Sequence, residues 1–263
     1  MHGFYNNGNT CYFNTAVQCM LHIHALSKHI ISEPYRGDCP FTTNYTELVR
    51  LYFQNNECMK INIEPLLKTF QNMFVRFKSR EPHDTQDALF CIIDILEVTY
   101  PYLKELIYGE KEQRTICPTG TKTEKVPFSM LLLHCDVNDK SVSELAYAAE
   151  KWDILEDYVD DSGVTHHVST TRMSIIKYPP VLLVSFDSKS RVLADPIFEK
   201  YEVYGSIIHL GNQSGGHYIS MVKLGTTWFA QDDDSVSKIQ FPNFHSHHVL
   251  MYSLKNPPTE CPP

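Results

Sequence analysis

The stretch GFYNNGNTCYFNTAVQ, residues 3–18, places a cysteine where a polar loop turns into an amphipathic pattern. A cysteine in the first turn of a helix lies beside unpaired backbone N–H groups and the positive end of the helix dipole, which lower its pKa and supply thiolate. The preceding glycines and asparagines suit a loop with unusual backbone angles, and asparagine amides can donate to an oxyanion. Cys11 therefore has the surroundings of a nucleophile; the alternative is an inert thiol at the start of a core helix.

A thiol nucleophile needs a base and a group that orients the base. Among the 13 histidines, His217 stands apart because it follows two glycines in SGGHYISMVK and begins a predicted strand at the rim of a sheet. One hairpin later comes WFAQDDDSV, whose aspartates 232–234 return to the same sheet edge and can accept the imidazole N–H. A solvated acidic turn is the alternative interpretation of these aspartates.

Hydrophobic spacing predicts helices in the first half of the chain and strands in the second. Helical stripes follow Cys11 and occupy residues 46–53, 63–77, 85–98 and 143–152, and Thr85 can cap the stripe at 85–98. Residues 153–162 are acidic and turn-prone. Strands are predicted at VLLVSF, SIIHL, HYISMV, TTWFA and VLMYSL. Helices first and strands later indicate an α+β architecture.

Composition excludes several classes of protein. The 263 residues, 43% of them hydrophobic, suffice for a sizeable core. The net charge of -8 disfavours a nucleic-acid partner and favours a basic one. The N-terminus lacks the pattern of a secretory signal, and no apolar run approaches the roughly 20 residues of a membrane span. We therefore expect a monomer in the cytoplasm or nucleus, away from membranes, with reduced thiols.

These segments together resemble the ubiquitin-specific protease family of cysteine deubiquitinases. Residues 3–18 match the family's cysteine box nearly throughout, with Phe4 and Val17 as departures. GHY at 216–218 and WFAQDD at 228–233 match its histidine box, with Gln231 in place of the usual aromatic residue. DTQDAL, VPFSMLLL and MSIIKYPPVLLVSF resemble intervening family segments in the right order, so the resemblance spans about residues 3–252.

The resemblance implies roles for individual residues. Cys11 becomes the nucleophile and His217 the general base. Asp232 orients His217, Asp233 can share that role, and Asn6 is the oxyanion donor. Residues 211–216 form one of the loops that flank the substrate tail. Asp84 and Asp87 lie in a family segment that lines this region; the alternative is that each simply begins a helix. The implied substrate-binding residues are Gln18 (in a supporting role), Asp84, Asp87, Gly215, Gly216 and Tyr218.

The resemblance also implies a papain-like fold with a thumb, a palm and fingers. One catalytic domain is expected over residues 1–254, with the thumb at about 3–105, reduced fingers at about 107–175, the palm at about 176–254 and a flexible tail at 255–263. The cleft between thumb and palm receives the C-terminal tail of ubiquitin. That tail is basic and ends in two glycines, so a narrow tunnel in an acidic protein suits it.

The implied activity is that of a thiol isopeptidase that removes ubiquitin from proteins and uses no cofactor. Two alternatives stay open. The first is a ubiquitin-binding module that keeps the fold and has lost activity. The second is a protease for another ubiquitin-like modifier that ends in Gly-Gly.

The fingers depart from the family pattern. Many members bind zinc there through two C-x-x-C pairs, whereas this chain contains no C-x-x-C. We predict that the chain binds no structural zinc. The alternative is a substitute site drawn from Cys117, His134, Cys135, His166 and His167.

Overall fold

A computed structural model describes residues 1–54, 57–79, 81–187, 191–212, 215–241 and 244–255. The helices in this part of the chain are α1 (Cys11–Leu21), α2 (His24–Ser32), α3 (Pro40–Gln54), α4 (Glu64–Met73), α5 (Thr85–Thr99), α6 (Tyr102–Ile107) and α7 (Val142–Ala149), with a 3-10 helix at Val75–Lys78. Every helix except α7 precedes the large sheets. The predicted α+β architecture, helical first and sheet-rich later, is confirmed.

The strands follow in chain order. They are β1 (Gly3–Phe4), β2 (Lys60–Ile61), β3 (Gly109–Cys117), β4 (Gly120–Phe128), β5 (Leu131–Leu133), β6 (Lys140–Ser141), β7 (Asp153–Val159), β8 (Thr165–Lys177), β9 (Val181–Phe186), β10 (Val192–Leu193), β11 (Ile197–Phe198), β12 (Tyr201–Asn212), β13 (Gly215–Leu224), β14 (Thr227–Asp232), β15 (Ser235–Ile239), β16 (Phe244–His245) and β17 (His247–Leu254).

Two sheets dominate the fold. The main sheet has the order β15-β14-β13-β12-β17-β9-β5, with β11 beside β12, and its pairs are antiparallel except for the parallel pair β5–β9. The finger sheet, β4-β3-β8-β7, is antiparallel throughout. Two small sheets, β1-β2 and β16-β10-β6, complete the topology. The hairpin β13–β14 therefore lies near one edge of the main sheet, and β15 is the edge strand beside it.

Some predicted element boundaries differ from the structure. The helix expected at residues 46–53 begins already at Pro40. Proline suits a helix start because a backbone N–H in the first turn has no partner within the helix, so its loss costs nothing. The stripe at 63–77 breaks after Met73 and continues as a 3-10 helix. Residues 153–159, expected to form turns, are strand β7; pairing with β8 outweighs their acidic composition.

The start of α5 is capped by Asp84 and not by Thr85. The Asp84 side chain accepts a hydrogen bond from the Gln86 backbone N–H at 2.7 Å. The Thr85 hydroxyl instead donates to the Tyr12 carbonyl at 2.7 Å. The predicted Thr85 cap is wrong because packing against α1 uses this hydroxyl, and the bond fixes α5 to the helix that begins with Cys11.

The main sheet is covered on both faces, which explains its continuous apolar strands. All six residues of β9 are buried. Leu183 packs into the core around α1, whereas Leu182 and Val184 pack into a second core with residues of α7. Helix α1 lies between α5 and the sheet, and all of its residues are buried. Cys11 is therefore carried by an element that is held from several sides.

The C-terminal end of the described chain, the cysteines and the helix lengths bear on three of the predictions. The backbone N–H of Lys255 donates to the Lys200 carbonyl at 3.2 Å, and the remaining residues of the predicted tail, 256–263, lie outside the described residues. The seven cysteines within the described ranges are free thiols. No helix among the described residues has the length and apolar character needed to span a membrane.

Candidate active site

The loop before α1 is folded by one asparagine side chain. Asn6 Oδ1 accepts hydrogen bonds from the backbone N–H groups of Gly8 (2.9 Å) and Thr10 (3.2 Å) and from the Thr10 hydroxyl (3.2 Å). The chain turns through left-handed angles at Gly8 (φ 94°) and Asn9 (φ 51°), a region that glycine and asparagine enter at the lowest cost. This loop delivers Cys11 to the first position of α1.

Cys11 is 8% exposed, and burial is the largest influence on its thiol. Burial raises the pKa of Cys11; the backbone N–H of Tyr218, which faces the sulfur, lowers it, and the negative charge of Asp233 raises it again. The helix amides of Tyr12 and Cys11 act in the predicted direction but more weakly, so the pKa stays above its usual value. The expectation of a lowered pKa is wrong, and the resting thiol needs a base.

His217 lies at the start of β13 and contacts an aspartate on the neighbouring strand. The hairpin register pairs Ser220 with Gln231 and so returns the end of β14 to the start of β13. His217 Nε2 donates to Asp232 Oδ1 at 2.6 Å, and Asp233 Oδ2 lies 3.9 Å from the same nitrogen. Asp232 therefore accepts the imidazole N–H across the hairpin, while the part of each residue in a reaction stays a prediction.

Helix α1 packs against β13, the strand that carries His217, and this packing brings Cys11 to the residue next to the histidine. The backbone N–H that faces the Cys11 sulfur belongs to Tyr218, the residue next to His217. Because Nε2 of the imidazole is engaged by Asp232, Nδ1 is the ring nitrogen left to accept a proton. The two ends of the chain thus meet at one place in the fold.

Asp233 joins the loop, the helix and the N-terminal strand. Its carboxylate accepts from Asn6 Nδ2 (2.7 Å) and Asn14 Nδ2 (2.8 Å), and its carbonyl accepts from the Phe4 N–H (2.7 Å). A primary amide carries two N–H donors, so Asn6 keeps a second one for an oxyanion. Asn14 was not predicted from the sequence. The sequence feature that could have revealed it is a polar side chain three residues after Cys11, on the same face of a buried helix.

A cavity of about 220 Å³ opens beside Cys11. Its wall needs glycine at position 216, because a Cβ there would lie 2.6 Å from the Leu210 carbonyl oxygen and 2.2 Å from His209 Nε2. Residues 213 and 214 of the predicted flanking loop lie outside the described residues. The cavity is lined by Asn9, Cys11, Tyr12, Pro82, His83, Asp84, His209, Gly215, Gly216 and Tyr218.

The predicted substrate contacts divide into two groups. Four of them line the cavity: Asp84, Gly215, Gly216 and Tyr218. Asp87 is exposed in the first turn of α5 and is not part of the lining. Gln18 is 2% exposed and donates to the His2 carbonyl at 3.0 Å. The Gln18 side chain therefore lies inside the core, where it supports α1, and a part in substrate binding stays a prediction.

Gln231, the departure from the family's histidine box, is buried behind the hairpin. Its amide donates to the Tyr52 hydroxyl at 2.9 Å and to the His2 carbonyl at 3.4 Å, and its oxygen accepts from the Ser220 hydroxyl at 3.2 Å. The departure from the family pattern therefore lies in the packing beneath the site and outside the lining of the cavity.

One group of candidate zinc ligands lies together at the tip of the finger sheet. Cys117, Asp160 and His166 each place a donor atom within 4.8 Å of the others. His166 Nε2 donates to Asp160 Oδ2 at 2.9 Å, and the Thr119 hydroxyl donates to the same oxygen at 2.8 Å. A group of three donors, two of which are hydrogen-bonded to each other, fits a four-ligand zinc site poorly. The prediction of no structural zinc stays a prediction.

The other candidate zinc ligands lie apart from this cluster. His134 contacts Asp187 at 2.5 Å, and His167 contacts Asp157 at 3.0 Å. Cys135 is buried in the second core. A further group with metal-like spacing is formed by His217, Asp232 and Asp233, but its place beside Cys11 favours a base with its orienting carboxylates.

The sequence profile described as "Ubiquitin carboxyl-terminal hydrolase" matches residues 2–191 and 187–252. The chain belongs to the ubiquitin carboxyl-terminal hydrolase family. The match includes the segments around both Cys11 and His217, and it confirms the resemblance to ubiquitin-specific proteases.

Curated relatives carry the same family name. "Ubiquitin carboxyl-terminal hydrolase 25" of Arabidopsis thaliana is 24% identical over 317 residues, which covers 97% of this chain and 47% of that protein. "Probable ubiquitin carboxyl-terminal hydrolase 16" of Schizosaccharomyces pombe is 20% identical and covers 97% of this chain and 67% of that protein. "Probable ubiquitin carboxyl-terminal hydrolase 1" of the same yeast is 53% identical over 36 residues, which is 14% of this chain and 4% of that protein. The chain spans less than half the length of the first and third of these.

Solved structures establish the fold of this family member. A chain in the SAGA Ubp8/Sgf11/Sus1/Sgf73 DUB module bound to ubiquitin aldehyde matches with a TM-score of 0.81 and 19% identity, over 98% of this chain and 70% of that chain. The same module bound to monoubiquitin gives a TM-score of 0.83 at 20% identity, over the same shares of the two chains. The expected papain-like thumb–palm–fingers fold is confirmed.

Proposed function

We propose that the chain is a thiol isopeptidase that hydrolyses the bond after the C-terminal glycine of ubiquitin on protein conjugates. One arrangement carries the proposal: the Cys11 sulfur faces the Tyr218 backbone N–H, beside the His217–Asp232 pair. Family membership supports the activity, and the ubiquitin bound in the similar DUB-module structures supports the substrate. We further propose a monomer without a cofactor, working in the cytoplasm or nucleus.

The first step is removal of the thiol proton. Since the pKa of Cys11 is raised, chiefly by burial, the nucleophile is a thiol until His217 accepts its proton at Nδ1. Asp232 holds the ring by its Nε2–H and stabilises the imidazolium that forms. The thiolate then attacks the carbonyl carbon of the terminal glycine.

The second step collapses the tetrahedral intermediate. The second N–H of Asn6 and the backbone amides at the start of α1 surround the position of the oxyanion. The carbon–nitrogen bond to the lysine breaks, and His217 gives its proton to the leaving ε-amine. Water, deprotonated by His217, then hydrolyses the thioester and restores the Cys11 thiol. Loss of the Asn6 donor lowers the rate by roughly 100-fold.

The test is hydrolysis of a ubiquitin C-terminal fluorogenic amide. Cys11→Ser is expected to reduce kcat to background, because the serine hydroxyl is a far weaker nucleophile here, and to leave the affinity for ubiquitin within about threefold of wild type. Cys19→Ser is the matched control, since Cys19 lies on the same helix but is buried away from the cavity. Normal turnover by Cys11→Ser contradicts the nucleophile assignment.

A ubiquitin-binding module without activity is the second candidate. It is favoured by one observation: Cys11 is almost fully buried, and its pKa is raised chiefly by that burial. Wild-type protein that binds ubiquitin but releases no fluorophore supports this candidate. A panel of substrates built on other modifiers ending in Gly-Gly tests the remaining alternative, a protease for another ubiquitin-like protein.

A further inference from the structure

His248 and Asp84 form a pair that joins the helical half of the molecule to the main sheet. His248 lies in β17 and Asp84 precedes α5. The His248 Nε2–H donates to Asp84 Oδ1 at 2.8 Å, between residues 164 positions apart in the chain. The His248 side chain is only 12% exposed, whereas the Asp84 side chain is 44% exposed.

The Asp84 carboxylate is held by donors from two directions. Its Oδ1 accepts from the Gln86 backbone N–H at 2.7 Å, as the cap of α5, and from His248. Burial alone would raise the pKa of Asp84, but the hydrogen bond and charge of His248 and the amides of Gln86 and Asp87 hold this pKa below its usual value. The group therefore presents a fixed negative charge.

Tyr218 connects this pair to the nucleophile. Its ring lies 5.5 Å from the His248 ring, and burial raises the pKa of its hydroxyl, which the nearby backbone N–H of Thr85 lowers. Its own backbone N–H faces the Cys11 sulfur. Two neighbouring sheet residues thus hold the start of α5 at a defined place beside Cys11.

Asp84 is the single carboxylate among the described residues that line the cavity at Cys11. An extended peptide tail presents backbone N–H groups that lose water when the tail enters a narrow cavity, and each needs a new acceptor. A carboxylate fixed in the wall supplies such an acceptor, and charge-assisted hydrogen bonds of this kind are stronger than neutral ones.

We propose that His248 is a positioning residue, which fixes the Asp84 carboxylate in the cavity wall so that it accepts backbone N–H groups of the substrate tail. This inference rests on the proposed function, because the tail is that of ubiquitin or a similar modifier. His248 acts on tail binding and not on the chemical step.

The experiment compares kcat and KM for the ubiquitin C-terminal amide among matched variants. His248→Phe keeps an aromatic ring against Tyr218 and removes the donor. His248→Gln restores a side-chain N–H. Asp84→Asn keeps a helix cap, since asparagine caps as well as aspartate, and removes the charge. His134→Phe is the control, because His134 forms the same kind of pair with Asp187 at an exposed place outside the cavity lining.

His248→Phe is expected to raise KM about tenfold with kcat within about twofold of wild type, and Asp84→Asn is expected to do at least as much. His248→Gln should recover most of the lost affinity, and the double variant should be no worse than Asp84→Asn alone. An unchanged KM in His248→Phe overturns the inference, as does an equal rise in His134→Phe or a fall in kcat alone. Wild-type protein without turnover contradicts the proposed function itself.

Discussion

The molecule contains two clusters of cysteine, histidine and aspartate with nearly the same hydrogen bond at their centre. In the first, called the cleft cluster below, His217 Nε2 lies 2.6 Å from Asp232. In the second, at the tip of the finger sheet, His166 Nε2 lies 2.9 Å from Asp160. Cys11 stands beside the first pair and Cys117 beside the second. The clusters differ in what they connect.

The cleft cluster joins parts of the chain that are distant in sequence. Asp233 bonds to Asn6 and Asn14, which precede it by 227 and 219 positions. Asp160 bonds to Ser162, Val164, His166 and Thr119, none more than 41 positions away. Of these two clusters, only the one with Cys11 contributes a residue to the lining of the cavity, and that residue is Cys11 itself. Similar residue types thus adjoin the proposed active site in one place and join two neighbouring turns in the other.

The largest expected effect separates the two histidines. His217→Gln removes the proposed base, and we expect kcat for the ubiquitin amide to fall by about 1,000-fold, because a positioned base contributes roughly 100- to 10,000-fold. The matched variant His166→Gln should leave kcat within about twofold of wild type. Steady-state kinetics of both variants measures the contrast, and an equal loss in the two would remove the distinction between the clusters.

The next effect concerns the carboxylate that joins both halves of the fold. Asp233→Asn replaces an acceptor with an amide that cannot accept from both Asn6 and Asn14 in the same way, so we expect roughly a 100-fold fall in kcat/KM. Thermal unfolding measured alongside shows whether the protein stays folded. Activity at the wild-type level in a folded variant would show that Asp233 has no part in ordering the site.

Acid is expected to weaken the core beneath the cleft. Burial lowers the pKa of His22 to about 3, so this imidazole stays neutral in the folded protein while the unfolded chain binds a proton below about pH 6.5. Its contribution to stability is complete above about pH 6.5 and is lost as the pH falls toward about 3; between pH 6.5 and 5 the loss is about 2 kcal/mol.

Urea unfolding at several pH values measures this slope. His22→Leu removes the titrating group and should flatten the dependence between pH 6.5 and 5. An unchanged slope in that variant would place the acid sensitivity elsewhere.

The smallest effect is expected at the finger tip. Asp160→Asn weakens a cluster that joins two turns, so we expect Tm to fall by less than about 5 °C with kcat unchanged. Treatment with a chelator should leave Tm and kcat unaltered, in line with the prediction of no structural zinc. A chelator-sensitive Tm in the wild type, together with about one zinc per chain by elemental analysis, would show that the three finger-tip donors bind metal.

The same comparison shows how much of the fold and of the site can be predicted from the sequence. The places of Cys11 at a helix start and of His217 near the start of a hairpin strand were predictable, because both are local features. The closeness of Asn14 to Asp233, or of His248 to Asp84, was not, since it depends on how distant elements pack. Strand β7 was missed because its own sequence shows no alternation of apolar residues. Pairing with β8 makes it a strand.

The direction of the Cys11 pKa was missed for a related reason. The loop and the helix start both indicate a lowered value, and the amides of the first turn do act that way. The burial of Cys11 depends on the packing of α1 against α5 and β13, which forms only in the folded protein, and burial outweighs the effect of the amides.

The central claim is that Cys11 is the nucleophile and is activated by His217. A ubiquitin derivative with a C-terminal electrophile tests it most directly, with intact-mass and peptide mapping of the adduct. We predict one covalent adduct, located at Cys11, absent in Cys11→Ser and formed much more slowly in His217→Gln. No adduct on the wild type, or an adduct on another thiol such as the exposed Cys58, would contradict the account.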